Sequence, residues 1–124
     1  MRVRIWIDDW QMECCGKPFA IGDTVTWSLS AQVDSERLLR ILGATPRVHY
    51  AEDHHGLKAD AQPIRGVVGS ISAAYARFRR DPETDVPAPV AGSSTLHAVT
   101  SARRFPRRLE GIEFVGYLVT LEVP

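Results

Sequence analysis

Cys14 and Cys15 stand side by side in DWQMECCG, and His54 and His55 do so in AEDHHG about forty positions later. Thiolate and imidazole are the donors that zinc takes, four of them converging tetrahedrally. Spacers such as C-x-x-C let two side chains reach one ion, whereas adjacent residues of a strand point to opposite faces. Read as strand residues, Cys14 and Cys15 do not chelate together, and neither do His54 and His55. A zinc site would then take one cysteine and one histidine, with a carboxylate such as Glu52 or Asp53. Without metal, one cysteine fills core volume as a small hydrophobe and one histidine is hydrogen-bonded inside the fold. A vicinal disulfide would close a small, strained ring and is set aside.

Other reactive groupings lack a local signature. A thiol, histidines and aspartates are all present, but the chain has no Asn and no G-x-S-x-G elbow. GVVGS, residues 66–70, lacks the Lys and the glycine spacing of a phosphate loop or dinucleotide fingerprint. Asp8, Asp9 and Glu13 lie close in sequence, yet acid/base work needs an opposing group in a cleft; a solvated turn explains them. No catalytic residue is assigned. Arginines gather at Arg77, Arg79 and Arg80, and again at Arg103, Arg104, Arg107 and Arg108. Phe78 and Phe105 interleave with them, as stacking platforms for single-stranded nucleic acid do.

The elements that must position these groups are mostly strands. Val3, Ile5 and Ile7 alternate with Arg2, Arg4 and Trp6, so 2–8 is a strand with one buried face. The apolar parity then moves to Trp10, Met12 and Cys14, which requires a bulge or turn at Asp8-Asp9. Val25, Trp27 and Leu29 alternate with Thr24, Thr26 and Ser28 as a half-buried strand. Residues 34–43 form the one short helix, capped by Asp34 or Ser35, with Leu38, Leu39 and Leu42 as its apolar stripe and Gly43 ending it. RVHYA, 47–51, reads as a strand. From 63 to 80, β-branched residues and the glycines at 66 and 69 favour a strand, at least at its start, over a helix. Residues 81–94 and 103–111 are loops, and TLHAVTSA between them is a short strand. The last strand puts Val115, Tyr117, Val119, Leu121 and Val123 on one face, with Phe114 and Leu118 on the other.

The fold class that follows is mainly β: a small, closed or partly open β-barrel of five to seven strands with one short helix. The alternative is an α+β fold with the helix on one face of an antiparallel sheet. The 124 residues suit a single domain spanning 1–124, able to bury a core without disulfide or metal. A formal net charge of zero excludes whole-molecule attraction to nucleic acid or anionic membrane. No stretch has the roughly 18 apolar residues of a membrane span, and the first ten residues alternate instead of forming a signal segment. The expected location is the cytoplasm, whose reducing conditions disfavour structural disulfides. Thirteen of the fifteen basic residues are Arg, a bias of high-GC genomes.

DWQMECCGKPFAIGDTVTW, AEDHHG, RGVVGSI and FVGYLVTL, in that order, resemble a family of small, uncharacterised actinobacterial proteins catalogued as a domain of unknown function. The resemblance runs from Trp10 to Leu121. It implies a cytoplasmic, stand-alone domain in high-GC bacteria and carries over no catalytic residue. The function is therefore unknown, and the residues argue more against an enzyme than for one. The leading reading is a non-catalytic binding or interaction module without a cofactor, contacting partners through exposed Trp6 and Trp10. The alternative is a zinc-binding protein or metalloenzyme using one of Cys14/Cys15 with one of His54/His55. The third is nucleic-acid binding through the arginine clusters. A homodimer is compatible with free strand edges.

Overall fold

The computed structural model describes residues 1–43 and 47–124. In chain order the elements are β1 (Arg2–Asp8), α1 (Asp9–Cys14), β2 (Phe19–Ala20), β3 (Thr24–Ser30), α2 (Ser35–Leu42), β4 (Tyr50–Glu52), β5 (Gln62–Ala76), β6 (Phe78–Arg80), β7 (Pro87–Pro89), β8 (Thr95–Val99), β9 (Ser101–Ala102) and β10 (Glu113–Glu122). Strand neighbours run β10–β1–β4–β3–β5, and β5 returns to pair with β10. The molecule is thus mainly β, a closed five-stranded barrel with a short helix packed outside it. β8 adds to β5 beyond the barrel, while β2–β9 and β6–β7 form small separate ribbons.

β5 makes closure geometrically feasible. Its first residues, Gln62–Val67, pair with β3, and Val67–Ala76 pair with β10. One long strand thereby serves two walls. Gly66 sits at the handover, where a Cβ would lie 2.6 Å from the Glu122 carbonyl oxygen, so only glycine lets the walls close. β1 and β10 pair antiparallel over their whole length, from Arg2 opposite Glu122 to Asp8 opposite Gly116.

Two apolar clusters result. Inside the barrel, Val3, Ile5 and Ile7 of β1 meet Leu29, Val68, Ile71, Tyr117, Val119 and Leu121. Outside it, Trp6, Ala74, Val115 and Leu118 are covered by Leu38 and Ile41 of α2. Asp34 caps α2, its carboxylate accepting from the Arg37 N–H at 3.1 Å, and Gly43 ends it at φ +76°. The buried face is Leu38 and Ile41, however; Leu39, expected in the stripe, is 59% exposed.

Three expectations are corrected. Residues 9–14 are helix α1, not a strand resumed after a turn: Gln11 and Met12 are buried together on one side of it. In β10 a bulge between Phe114 and Gly116 reverses the alternation. Val115 therefore joins Leu118 in the outer cluster, and Phe114 packs on the barrel core. Of residues 47–51, only Tyr50 and Ala51 fall in β4. The strand reading of 63–80 holds almost throughout, broken at Arg77. Among the described residues no helix is long and apolar enough to cross a membrane.

Candidate metal centre

The backbone conformation of one short turn brings both cysteines to the same side. Cys14 is the last residue of α1 and Cys15 its C-cap, at φ −147° and ψ −5°. The N–H groups of Cys15 and Gly16 both donate to the Gln11 carbonyl, at 3.3 and 2.9 Å. Gly16 is required here, because a Cβ would lie 2.7 Å from Met12 Sδ and 2.8 Å from Met12 Cα. In helical and turn geometry neighbouring side chains are not held opposite each other, unlike in a strand. The two sulfurs are accordingly in direct contact as a vicinal pair. This overturns the opposed-faces reading: the two sulfurs form the vicinal pairing set aside as a disulfide on sequence grounds.

The histidines arrive on a tight loop. The buried Asp53 carboxylate accepts from the N–H groups of Leu57 at 2.9 Å and Lys58 at 2.6 Å. Gly56, at φ +66°, turns the chain. Gln11 of α1, 4% exposed, then fastens this loop to the helix. Its amide donates to the Glu52 carbonyl at 3.0 Å and accepts from the His54 N–H at 3.0 Å. Both ends of one buried amide are satisfied across the α1–loop seam, which fixes the register of the loop against the cysteines. Nothing in the sequence pattern singled out Gln11.

The result selects one histidine. His55 Nε2 lies 3.6 Å from Cys14 Sγ and 3.4 Å from Cys15 Sγ. Among the described residues these three donors form a ligand cluster, all within 4.8 Å of one another. Trp10, one turn before Cys14, stacks on His55 with centroids 5.9 Å apart and planes 6° from parallel. His54 turns away, its Nδ1 3.6 Å from Glu52 Oε1. Glu52 lies outside the three-donor cluster, and burial, reinforced by the charge of Asp53, pushes its pKa up to about 7. Asp53 is committed to its backbone donors. Of the residues singled out from the sequence, the structure thus brings together both cysteines and His55, and leaves His54 and the carboxylates outside that cluster.

Zinc bonds of about 2.3 Å to sulfur and about 2.0 Å to nitrogen, at tetrahedral angles, place N and S about 3.5 Å apart. The observed 3.4 and 3.6 Å are near that edge, but zinc would also hold the two sulfurs about 3.8 Å apart, so the pair, in contact here, would have to open to bind it. The donors sit at the surface, leaving room for a fourth ligand. Joined as a disulfide the sulfurs offer no thiolate, so the reduced pair is the form able to bind a cation.

The remaining candidate residues are dispersed. Trp6 is 2% exposed, and its indole N–H donates to Asp8 at 2.9 Å. It lies off the barrel-facing parity because α2 covers that side, so it is core and not an exposed contact. Trp10 is 43% exposed. Asp8 also accepts from Arg37, and burial raises the pKa of Asp9. Arg77, Arg79 and Arg80 are exposed at the β6–β7 ribbon, where Arg80 pairs with Asp85 at 2.9 Å. Phe78 is partly buried against the outer cluster. Arg103, Arg104, Arg107 and Arg108 are exposed on the loop before β10. Arg104 Nε donates to the Gly16 carbonyl at 2.8 Å. Arg107 and Arg108 line a cleft together with Asp9, Glu13, Glu110 and Glu113, without an ion pair to any of them among the described residues. No curated protein and no solved structure matches the chain. Over residues 1–123 it matches one family model, and it belongs to that family, described as "Family of unknown function (DUF6578)".

Proposed function

We propose that this protein is a non-catalytic, single-domain binding module of the cytoplasm. Its ligand is a thiophilic metal ion, zinc first, held by the reduced Cys14–Cys15 pair and His55. The observation that supports this reading is the convergence of the three donors, with His55 Nε2 at 3.6 and 3.4 Å from the two sulfurs. Soft thiolates with one imidazole favour zinc or cuprous ion over magnesium or calcium. A reducing compartment keeps the thiols available, and the motif resemblance adds a high-GC actinobacterial source. Trp10 holds the His55 ring in place by stacking, a role that an outer residue plays at metal sites through orientation.

The experiment is zinc titration of the reduced protein against a chromophoric chelator, with elemental analysis of protein purified without chelator. One equivalent of zinc is expected. H55A and C14S each weaken binding by at least about tenfold, the loss typical of even outer ligand-supporting groups. H54A leaves it unchanged. Substoichiometric zinc, or equal losses in H54A and H55A, sinks the reading.

A further inference from the structure

A cavity of about 590 Å³ lies where β8 and the segment before β10 cross the barrel wall. Small-molecule sites typically occupy about 300–1,000 Å³. It shares no lining residue with the Cys14–Cys15–His55 cluster. Tyr75 and Leu109 give it an apolar wall, while Arg103, Arg107 and His97 stand on its lining without any carboxylate. The cleft that carries Asp9, Glu13, Glu110 and Glu113 adjoins it, sharing Tyr75, Pro106, Arg107 and Leu109.

Arginine-rich loops are ordinarily solvated and mobile, but the backbone of this one is held at both ends. Tyr117 Oη donates to the Arg103 carbonyl at 2.9 Å and accepts from the Arg103 N–H at 3.0 Å. Tyr75 Oη donates to the Arg107 carbonyl at 2.7 Å. Both tyrosines are core residues of the barrel, so two buried phenols fix where the two arginines start. His97 is placed as well: its ring meets Tyr75 edge-on at 5.3 Å, and its Nε2 lies 2.9 Å from Thr95 Oγ1. Arg103 and Arg107 stay unpaired with any carboxylate among the described residues. Arg80, by contrast, is paired with Asp85. Their charges are felt at the anchoring phenols: burial raises both tyrosine pKa values, and Arg107 and Arg103 oppose that rise.

Two arginines rooted on anchored backbone, unpaired with carboxylates among the described residues and beside an apolar wall, suit a dianionic head on a compact apolar body. We propose that this cavity binds a small phosphate monoester, with Arg103 and Arg107 on the phosphate and Tyr75 and Leu109 against the organic group. His97 supplies a further donor at the rim. The site recognises and holds this ligand; Thr100, Ser101 and His97 line it, but among the described residues neither of these hydroxyls is hydrogen-bonded to the imidazole, which meets Thr95 instead.

Calorimetric titration with phenyl phosphate tests the proposal. One saturable site is expected, weakened by added salt. Inorganic phosphate, lacking the apolar body, binds more weakly. R103Q and R107Q each lose at least about tenfold in affinity, or about 1.4 kcal/mol, while R79Q on β6 binds as the wild type does. The tyrosine anchors hold backbone atoms of the loop, so both variants keep the fold, and unchanged far-UV circular dichroism checks this. Absence of saturable phenyl phosphate binding overturns the proposal. So does undiminished binding in R103Q and R107Q. A single-stranded oligonucleotide that binds this surface and is not displaced by phenyl phosphate would assign the arginines to a polynucleotide instead.

Discussion

Glu52 is the residue where burial and charge conflict most plainly. Its folded pKa of about 7 lies above the 4.5 of an unperturbed glutamate. Between those values the folded chain holds a proton that the unfolded chain has released. Stability from this group is therefore complete below about pH 4.5, falls as pH rises to about 7, and is flat beyond. Gln keeps the shape and removes the charge. E52Q should be more stable than wild type at pH 8 by on the order of 3 kcal/mol at most, with little difference near pH 4.5. Urea denaturation at the two pH values checks this; a gap that does not change with pH would refute it. The neighbouring site shows what residue types alone convey. Cysteine and histidine identity raised the alternative of a cation site, and the structure brings three of those four residues together. Which three could not be read, because side-chain direction depends on whether residues 9–15 are helical or extended. The buried amide of Gln11, which decides how the loop docks, has no pattern in the chain to announce it.

At the scale of elements, close approach of backbones sets the tolerances. A Cβ at Gly116 would lie 2.5 Å from the Ile7 carbonyl oxygen and 2.5 Å from the Trp6 ring. Neither neighbour can rotate aside, since one is β1 backbone and the other is clamped beneath α2. G116A should cost about 1–3 kcal/mol, the range for overpacking a filled interior, and chemical denaturation will measure it. A substitution without effect would mean that the β10 bulge relaxes freely. Alternation exposed β1, β3 and β10 because each has one face on the barrel interior over several residues. It missed α1, since six residues span under two helical turns and show no period. It also misassigned Phe114 and Val115, because a bulge adds one residue to one strand and shifts parity without changing composition. α2 was legible through its cap and its terminal glycine, local signals that need no partner. Its buried face was not, because Leu39 and Ile41 are equally apolar and only the position of the barrel chooses between them.

Taken whole, the molecule is a ring of strands whose first and last members are neighbours. Such closure leaves β1, β10 and the β10-paired part of β5 with hydrogen bonds on both sides. Their central amides should be the slowest to exchange with deuterated solvent, and those of the β6–β7 ribbon among the faster. Mass-spectrometric or NMR exchange checks the order; uniform protection would contradict it. A formal charge of zero with locally separated signs suits a protein that recognises small charged ligands at distinct places without general attraction to polyanions. The β1–β10 pairing also has a consequence on the ribosome. β1 emerges first, carrying Val3, Ile5 and Ile7, yet the strand it pairs with along its full length is encoded more than a hundred residues later. At roughly 5–20 residues per second, that interval is on the order of 5–20 s. For that time an apolar strand waits with open edges, so early translation is when this chain most needs a chaperone to cover it.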